Sequence, residues 1–399
     1  MKYQRFLILL TIAYFFINCV ASQPVQKTEP EPTEDAKAKA QEEYSIGYEY
    51  LKQGKYDEAL AHFNEAVKLY PKFYGAYIAI GQIYRAKRDY PMAESVYNYI
   101  KKVDPKDSRA YEGLAALYTD QKKYNEAINE YLIAIQLDST NVNILNGLGF
   151  VYTKTKEYDK ALMYYFKALK YEPDNLVAIK AIANIYIEKG EPDKAVNYLE
   201  TLRSKKPEAI DVRELLAKTY LDLKYYDKAI EEYNFLITKK SDYYLYHLQL
   251  GSVYAKQKKY LNAEKEYKEA RKLAPDNPLP ILYLADLQIS RNKLGEAETM
   301  VREALKMSSD NNYAYVLLGD IYERRGFQRK AIWDKKKTKS NIGEAEAAVS
   351  LLKQAISYYN QARDDNQFSS YVRTEIERCE NWIKQLDEDI WFIKGGKKK

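Results

Sequence analysis

The chain has 399 residues, 30% of them charged, and a formal net charge of +6. Lys and Arg are mixed with Asp and Glu along most of its length, which is the composition of a solvated outer face and not of a nucleic-acid platform. Two cysteines, Cys19 and Cys379, exclude a disulfide framework, and two histidines leave little for a metal or catalytic centre.

The N-terminus reads as a targeting segment. Lys2 and Arg5 precede an apolar run from Phe6 to Ile17, too short for a comfortable membrane span and suited to a secretory signal. Phe16-Ile17-Asn18-Cys19 resembles a relaxed bacterial lipobox, which would acylate Cys19. Val20-Ala21-Ser22 also fits ordinary signal cleavage, and a retained anchor is the third reading. Residues 1–22 are therefore assigned to the signal, with export to the periplasm or outer membrane and a possible lipid anchor. Residues 23–39, rich in Pro, Glu, Thr, Lys and Ala, have no large apolar residue after Val25 and read as a flexible tether.

From about residue 40 the sequence is periodic. Alanine recurs every 34 residues at Ala59, Ala93, Ala127, Ala161, Ala195, Ala229, Ala263, Ala297 and Ala331. Twelve residues before each stands a small residue, among them Gly47, Gly81, Gly149, Gly251 and Gly319. Four residues after most of them stands a large one, among them Phe63, Tyr97, Tyr131, Tyr165 and Tyr267. Internal spacings of three, four and seven are helical. Gly54-Lys55-Tyr56-Asp57 and Gly190-Glu191-Pro192-Asp193 mark turns between helices, and Pro71, Pro105, Pro173, Pro207 and Pro275 close units. A fixed period of this length means stacked helical hairpins sharing one continuous core.

These residues resemble the tetratricopeptide signature. Gly47, Tyr50, Ala59, Phe63, Ala66 and Pro71 fill it in the first unit, and Gly251, Tyr254, Ala263, Tyr267, Ala270 and Pro275 in the seventh. The resemblance covers residues 40–332, with units starting near 40, 74, 108, 142, 176, 210, 244, 278 and 312. It implies an all-α solenoid, a right-handed superhelix of about nine hairpins that binds protein partners along its concave face.

In that family, positions 2, 5, 9 and 12 of the first helix point into the groove. The resemblance therefore implies a polar groove early and an apolar one late. Asn143, Asn146, Lys180 and Asn184 make the polar patch. Leu245, Leu248, Leu279, Leu282, Tyr313 and Val316 make the apolar strip, bordered by Asp286 and Asp320. A solvated apolar strip marks a contact site. Its occupant is either a partner segment or the chain's own C-terminus. Lys180 and Asn184 match the first pair of the family's carboxylate clamp, but Leu215, Leu245 and Gln249 do not match the rest, which argues against recognition of chaperone tails.

No nucleophile, phosphate loop or metal spacing stands out. His62, beside Phe63, and His247 read as packing residues. After Ala331 the pattern departs. Residues 333–344, with Lys335, Lys336, Lys337 and Lys339, read as a basic inserted loop. Residues 345–394 read as capping helices, with Ala348, Leu352 and Ala355 in the packing slots, Cys379 buried, and Trp391-Phe392-Ile393 at the end. Residues 395–399 form a basic tail. The expected function is a non-enzymatic interaction scaffold of the bacterial cell envelope with protein partners. It needs no cofactor, small-molecule substrate or nucleic acid. The alternative is an accessory subunit of a glycosyltransferase or polysaccharide synthesis or export complex.

Overall fold

The computed structural model describes residues 31–396, so the signal, Cys19 and Lys397–Lys399 lie outside the described residues. Those described form nineteen α-helices and no strand. They divide into two units, the first ending at Glu172 and the second beginning at Pro173.

The first unit holds four hairpins. They are α1 (Glu34–Lys52) with α2 (Tyr56–Leu69), α3 (Tyr74–Ala86) with α4 (Tyr90–Val103), α5 (Ser108–Asp120) with α6 (Tyr124–Leu137), and α7 (Val142–Lys154) with α8 (Tyr158–Tyr171). The second unit begins with α9 (Leu176–Glu188) and α10 (Pro192–Lys205), α11 (Ile210–Asp222) and α12 (Tyr226–Lys239), and α13 (Tyr244–Lys256) and α14 (Tyr260–Leu273). It continues with α15 (Pro278–Ser290) and α16 (Leu294–Met307), then α17 (Asn312–Lys335), α18 (Ile342–Gln361) and α19 (Ser369–Ile393).

Local chemistry sets these bounds. Asp107, Asn141, Asn175, Asn277 and Asn311 cap first helices, their side chains accepting backbone N–H bonds. Each closing Pro stands two residues past the end of a second helix, after Leu69, Val103, Tyr171, Lys205 and Leu273. The turn inside each of the first eight hairpins has one left-handed residue, at 34-residue intervals: Gly54, Arg88, Lys122, Lys156, Gly190, Lys224, Lys258 and Asn292, with φ between 59° and 73°. A side chain is strained there. Lys122→Gly and Lys156→Gly are each expected to stabilise the chain by about 0.5–1 kcal/mol, read as a raised urea midpoint.

Packing explains the small residues. A Cβ at Gly47 would lie 2.9 Å from the ring of Phe63, at Gly251 2.4 Å from Tyr267, and at Gly81 and Gly113 2.6 and 2.3 Å from Tyr97. Each ring thus fills the space left by a bare backbone on a first helix. Tyr97 is wedged between the first helices of successive hairpins.

Two expected boundaries are corrected at the ends of the array. The tether was placed to residue 39, but α1 begins at Glu34, because Thr33 caps it and Glu34, Asp35 and alternating Ala favour helix. The basic loop was placed at 333–344, yet α17 runs to Lys335, and Trp333 is fully buried. A 3₁₀ turn at Lys339–Asn341 leads straight into α18.

The ninth alanine is also out of place: Ala331 is exposed on α17. The ring beside Gly319 belongs to Tyr359, at 2.3 Å from a Cβ there. Gly251 and Tyr267 are 16 residues apart, whereas Gly319 and Tyr359 are 40 apart, so 24 residues are inserted into the last hairpin. Ala348, Leu352 and Ala355 are fully buried as expected, but the triplet that matches the earlier hairpins, with its ring against Gly319, is Ala355, Tyr359 and Ala362. Gly326, at the slot where earlier hairpins turn, stays helical and packs on Leu352.

Candidate partner-binding faces

The expected apolar strip is only partly open. Leu248, Leu282 and Val316 are buried, not solvated. Successive first helices approach closely enough for position 5 to join the core. Leu248 shares a buried cluster with Leu284 and Leu287 of α15, and Leu282 one with Leu317 and Leu318 of α17. Val316 joins the cluster of Tyr359, Val372 and Leu386. Leu245, Leu279 and Tyr313, at position 2, are partly exposed.

The C-terminal segment covers the last of these. Phe368 stacks on Tyr313 with centroids 5.7 Å apart and planes 6° apart. Asn312 Nδ2 donates to Asp365 at 2.8 Å. Tyr313 continues inward through Tyr283 to Tyr267, with ring centroids 6.0 and 5.4 Å apart. The open part of the strip is therefore Leu245 and Leu279.

Asp286 and Asp320 are partly exposed beside it. Burial pushes the Asp286 carboxyl up, against a 3.3 Å bond from the Tyr313 hydroxyl. Asp320 is pushed up to about 6, chiefly by burial; the Tyr359 and Tyr371 hydroxyls, donating at 2.8 and 2.9 Å to the same Oδ1, oppose this. Its neighbour Glu323 is buried and holds Arg378 at 2.7 Å and the Tyr359 hydroxyl at 3.1 Å. Asp320, Glu323, Arg324, Phe327, Tyr371, Arg378 and Trp382 line a pocket of about 410 Å³ between α17 and α19.

Because its folded pKa is raised, Asp320 contributes its full stability below about 3.8 and loses it as pH rises through about 6. An Asn oxygen in the place of Oδ1 would keep both tyrosine bonds without the buried charge. Asp320→Asn is thus expected to strengthen α19 attachment by ~2 kcal/mol at pH 7 and by much less at pH 4.5. Hydrogen exchange in α19 at the two values reads this.

The polar residues do not share a unit. Asn143, exposed, and Asn146, partly buried, lie on α7 in the first unit; Lys180 and Asn184 lie on α9 in the second. Lys180 pairs with Asp211 at 2.5 Å. The first unit has its own pocket of about 270 Å³, which includes Gln82, Arg85, Arg109, Glu112, Asn141 and Asn143. Arg85 pairs with Asp120 at 3.0 Å, and burial pushes Glu112 up. The hydroxyl of Tyr97, buried against this pocket, has no hydrogen-bond partner among the described residues. Gln82 and Arg85 escaped the sequence reading, whereas Arg109 stands at position 2 of the third unit, where the polar groove is expected.

His62 is held by Glu43 at 2.6 Å and His247 by Glu266 at 2.7 Å, each tying the two helices of one hairpin. Cys379 is fully buried, 3.4 Å from Glu323, and burial holds its thiol protonated. Among the described residues no three His, Cys, Asp or Glu side chains converge as metal ligands.

Family comparisons agree with this geometry. Tetratricopeptide-repeat models match residues 40–73, 115–156, 156–219, 215–278 and 254–321. The chain carries an array of tetratricopeptide repeats. Those matches stop at residue 321, within the first helix of the lengthened last hairpin. The solved C-terminal part of a tetratricopeptide protein from Cytophaga hutchinsonii superposes with a TM-score of 0.52 at 18% identity, over 59% of this chain and 97% of that one. PilF of Pseudomonas aeruginosa superposes at 0.48 and 18%, over 56% and 100%. YrrB, described as a tetratricopeptide protein with an unusual peptide-binding site, superposes at 0.43 and 19%, over 46% and 95%. No curated protein matches the sequence as a relative. The tetratricopeptide fold points to a protein-interaction scaffold.

Proposed function

We propose that the array is a non-enzymatic scaffold of the bacterial cell envelope that holds an extended protein segment on the first-helix face of its seventh and eighth repeats. The observation that carries this is the pair Leu245 and Leu279, partly exposed apolar side chains at the same position of adjacent repeats, with Asp286 beside them. An apolar segment flanked by Lys or Arg suits that surface. The envelope assignment rests on the N-terminal apolar run from Phe6 to Ile17 and on Cys19.

Leu245→Glu and Leu279→Glu place charges on this face without opening the core. Each is expected to release a partner that co-purifies with the wild-type chain while helical content is unchanged. Retention of the partner by both variants would overturn the assignment of this face. Metabolic acyl labelling tests the anchor, since the label should vanish in Cys19→Ala.

A further inference from the structure

We propose that the first unit carries a binding site of its own, in which the pocket around Glu112 and Tyr97 receives a cationic side chain, lysine or arginine, from an extended protein segment.

This pocket, of about 270 Å³, is assembled from three successive hairpins. Ile78, Gln82 and Arg85 come from α3, Tyr97 from α4, Arg109, Glu112 and Ala116 from α5, and Asn143 from α7. On α3 and on α5 the spacings are three and four residues, so each helix gives the pocket one face. The volume is that of about nine waters, the scale of one long side chain.

The charges around it are unevenly matched. Arg85 Nε pairs with Asp120 at 3.0 Å, and Arg109 donates to buried Asp107 through Nε and Nη2, at 2.8 and 2.7 Å. Each guanidinium therefore has its own carboxylate. Glu112, partly buried, has no hydrogen bond and no ion pair among the described residues. Burial pushes its carboxyl up; Arg85 opposes this, and Asp138 adds a second negative charge nearby. Tyr97 is fully buried, and its hydroxyl has no partner among the described residues. Burial, with a smaller push from Glu112, holds that phenol protonated, so its oxygen can accept a bond.

Buried polar groups in folded chains almost always have partners, and here two without one line a single pocket. A cationic N–H group serves both: it offsets the charge of Glu112 and donates to the Tyr97 oxygen. A carboxylate ligand would meet Glu112 as a like charge, and a neutral hydroxyl would leave that charge uncompensated. Ile78 and Ala116 give the walls apolar surface for the methylene stem of such a side chain. Gln82 and Asn143 are exposed, and their amide groups make no hydrogen bond among the described residues. They offer donors and acceptors to the peptide bonds beside the inserted side chain, which selects a protein segment over a free amine.

The probe is a blocked glycine–serine pentapeptide with one central lysine, titrated into the full chain carrying labelled isoleucine and alanine methyl groups. Ile78 and Ala116 report from the pocket, and the remaining methyl signals report the fold. Saturable shifts of Ile78 and Ala116 are expected. A norleucine peptide should need about tenfold or more concentration for the same shift, and Glu112→Gln should weaken the lysine peptide by about tenfold or more without affecting the norleucine peptide. Tyr97→Phe keeps the ring and removes the acceptor, and should weaken the lysine peptide by about threefold or more. Leu245→Glu should leave these shifts unchanged, which separates this site from the one on the seventh and eighth repeats. Equal binding of the lysine and norleucine peptides, tighter binding of a glutamate peptide, indifference to both Glu112→Gln and Tyr97→Phe, or no shift at all would overturn the proposal. So would butylamine binding as tightly as the lysine peptide, since the ligand would then be a free amine.

Discussion

Tyr359→Ala is expected to destabilise the last hairpin by about 3–5 kcal/mol and to free α19 from it. Tyr359 is fully buried, and its ring occupies the space that Gly319 leaves on α17. Its hydroxyl also reaches Asp320 and Glu323, which in turn hold Tyr371 and Arg378 of α19. Removing the ring opens a cavity and leaves the buried Glu323 and the partly buried Asp320 with fewer donors. Tyr359→Phe keeps the ring and is expected to cost only about 1–2 kcal/mol. Contacts in a stacked array run mainly between neighbours, so the loss should be local. Hydrogen exchange should accelerate in α17 to α19 and remain slow in α13 and α14. Uniform acceleration throughout the second unit would contradict a local keystone.

Glu232→Ala should weaken the second unit by about 3–5 kcal/mol. The Glu232 side chain is 1% exposed and is held by Arg203 of α10 and by Arg213 of α11, the latter at 2.7 Å. Three helices thus converge on one carboxylate. Arg213 also donates to the carbonyl of Pro207 at 2.7 Å and lies 3.5 Å from the centre of the Phe235 ring, so it cannot swing out to water without losing both. Deleting the carboxylate strands a partly desolvated guanidinium. Arg213→Leu combined with Glu232→Leu should recover much of the loss, since an apolar pair needs no compensation. Urea unfolding of the two single variants and the double variant reads the coupling. A double variant as unstable as the sum of the singles would show that the ion pair is not the cause.

Most of the fold was legible because each signal was repeated. One Ala, one Gly or one Tyr says little. Eight hairpins with the same slots, each turning at a left-handed residue, leave one architecture. Legibility ended where the period broke. Ala331 kept the count and misled, because periodicity cannot tell a packed alanine from an exposed one on a helix that fails to turn at Gly326. The compensating signal was present as Ala355, Tyr359 and Ala362, with the spacing of Ala263, Tyr267 and Ala270. The partner faces were less legible. Position numbers locate Leu248, Leu282 and Val316 on the first helices but do not give the distance between neighbouring helices, and that distance buries them. The stacking of Phe368 on Tyr313 joins residues 55 positions apart and leaves no local trace.

The central claim is that a protein segment lies along the first helices of the seventh and eighth repeats. Photo-crosslinking in the native cell tests it most directly, with the reactive residue at Leu245 or Leu279 and, as a control, at Leu261, which is 76% exposed on a second helix. Adducts are expected from 245 and 279 to one extended stretch of another protein, and none to that stretch from 261. Adducts confined to the chain's own residues 365–396, or equal labelling from all three positions, would contradict it.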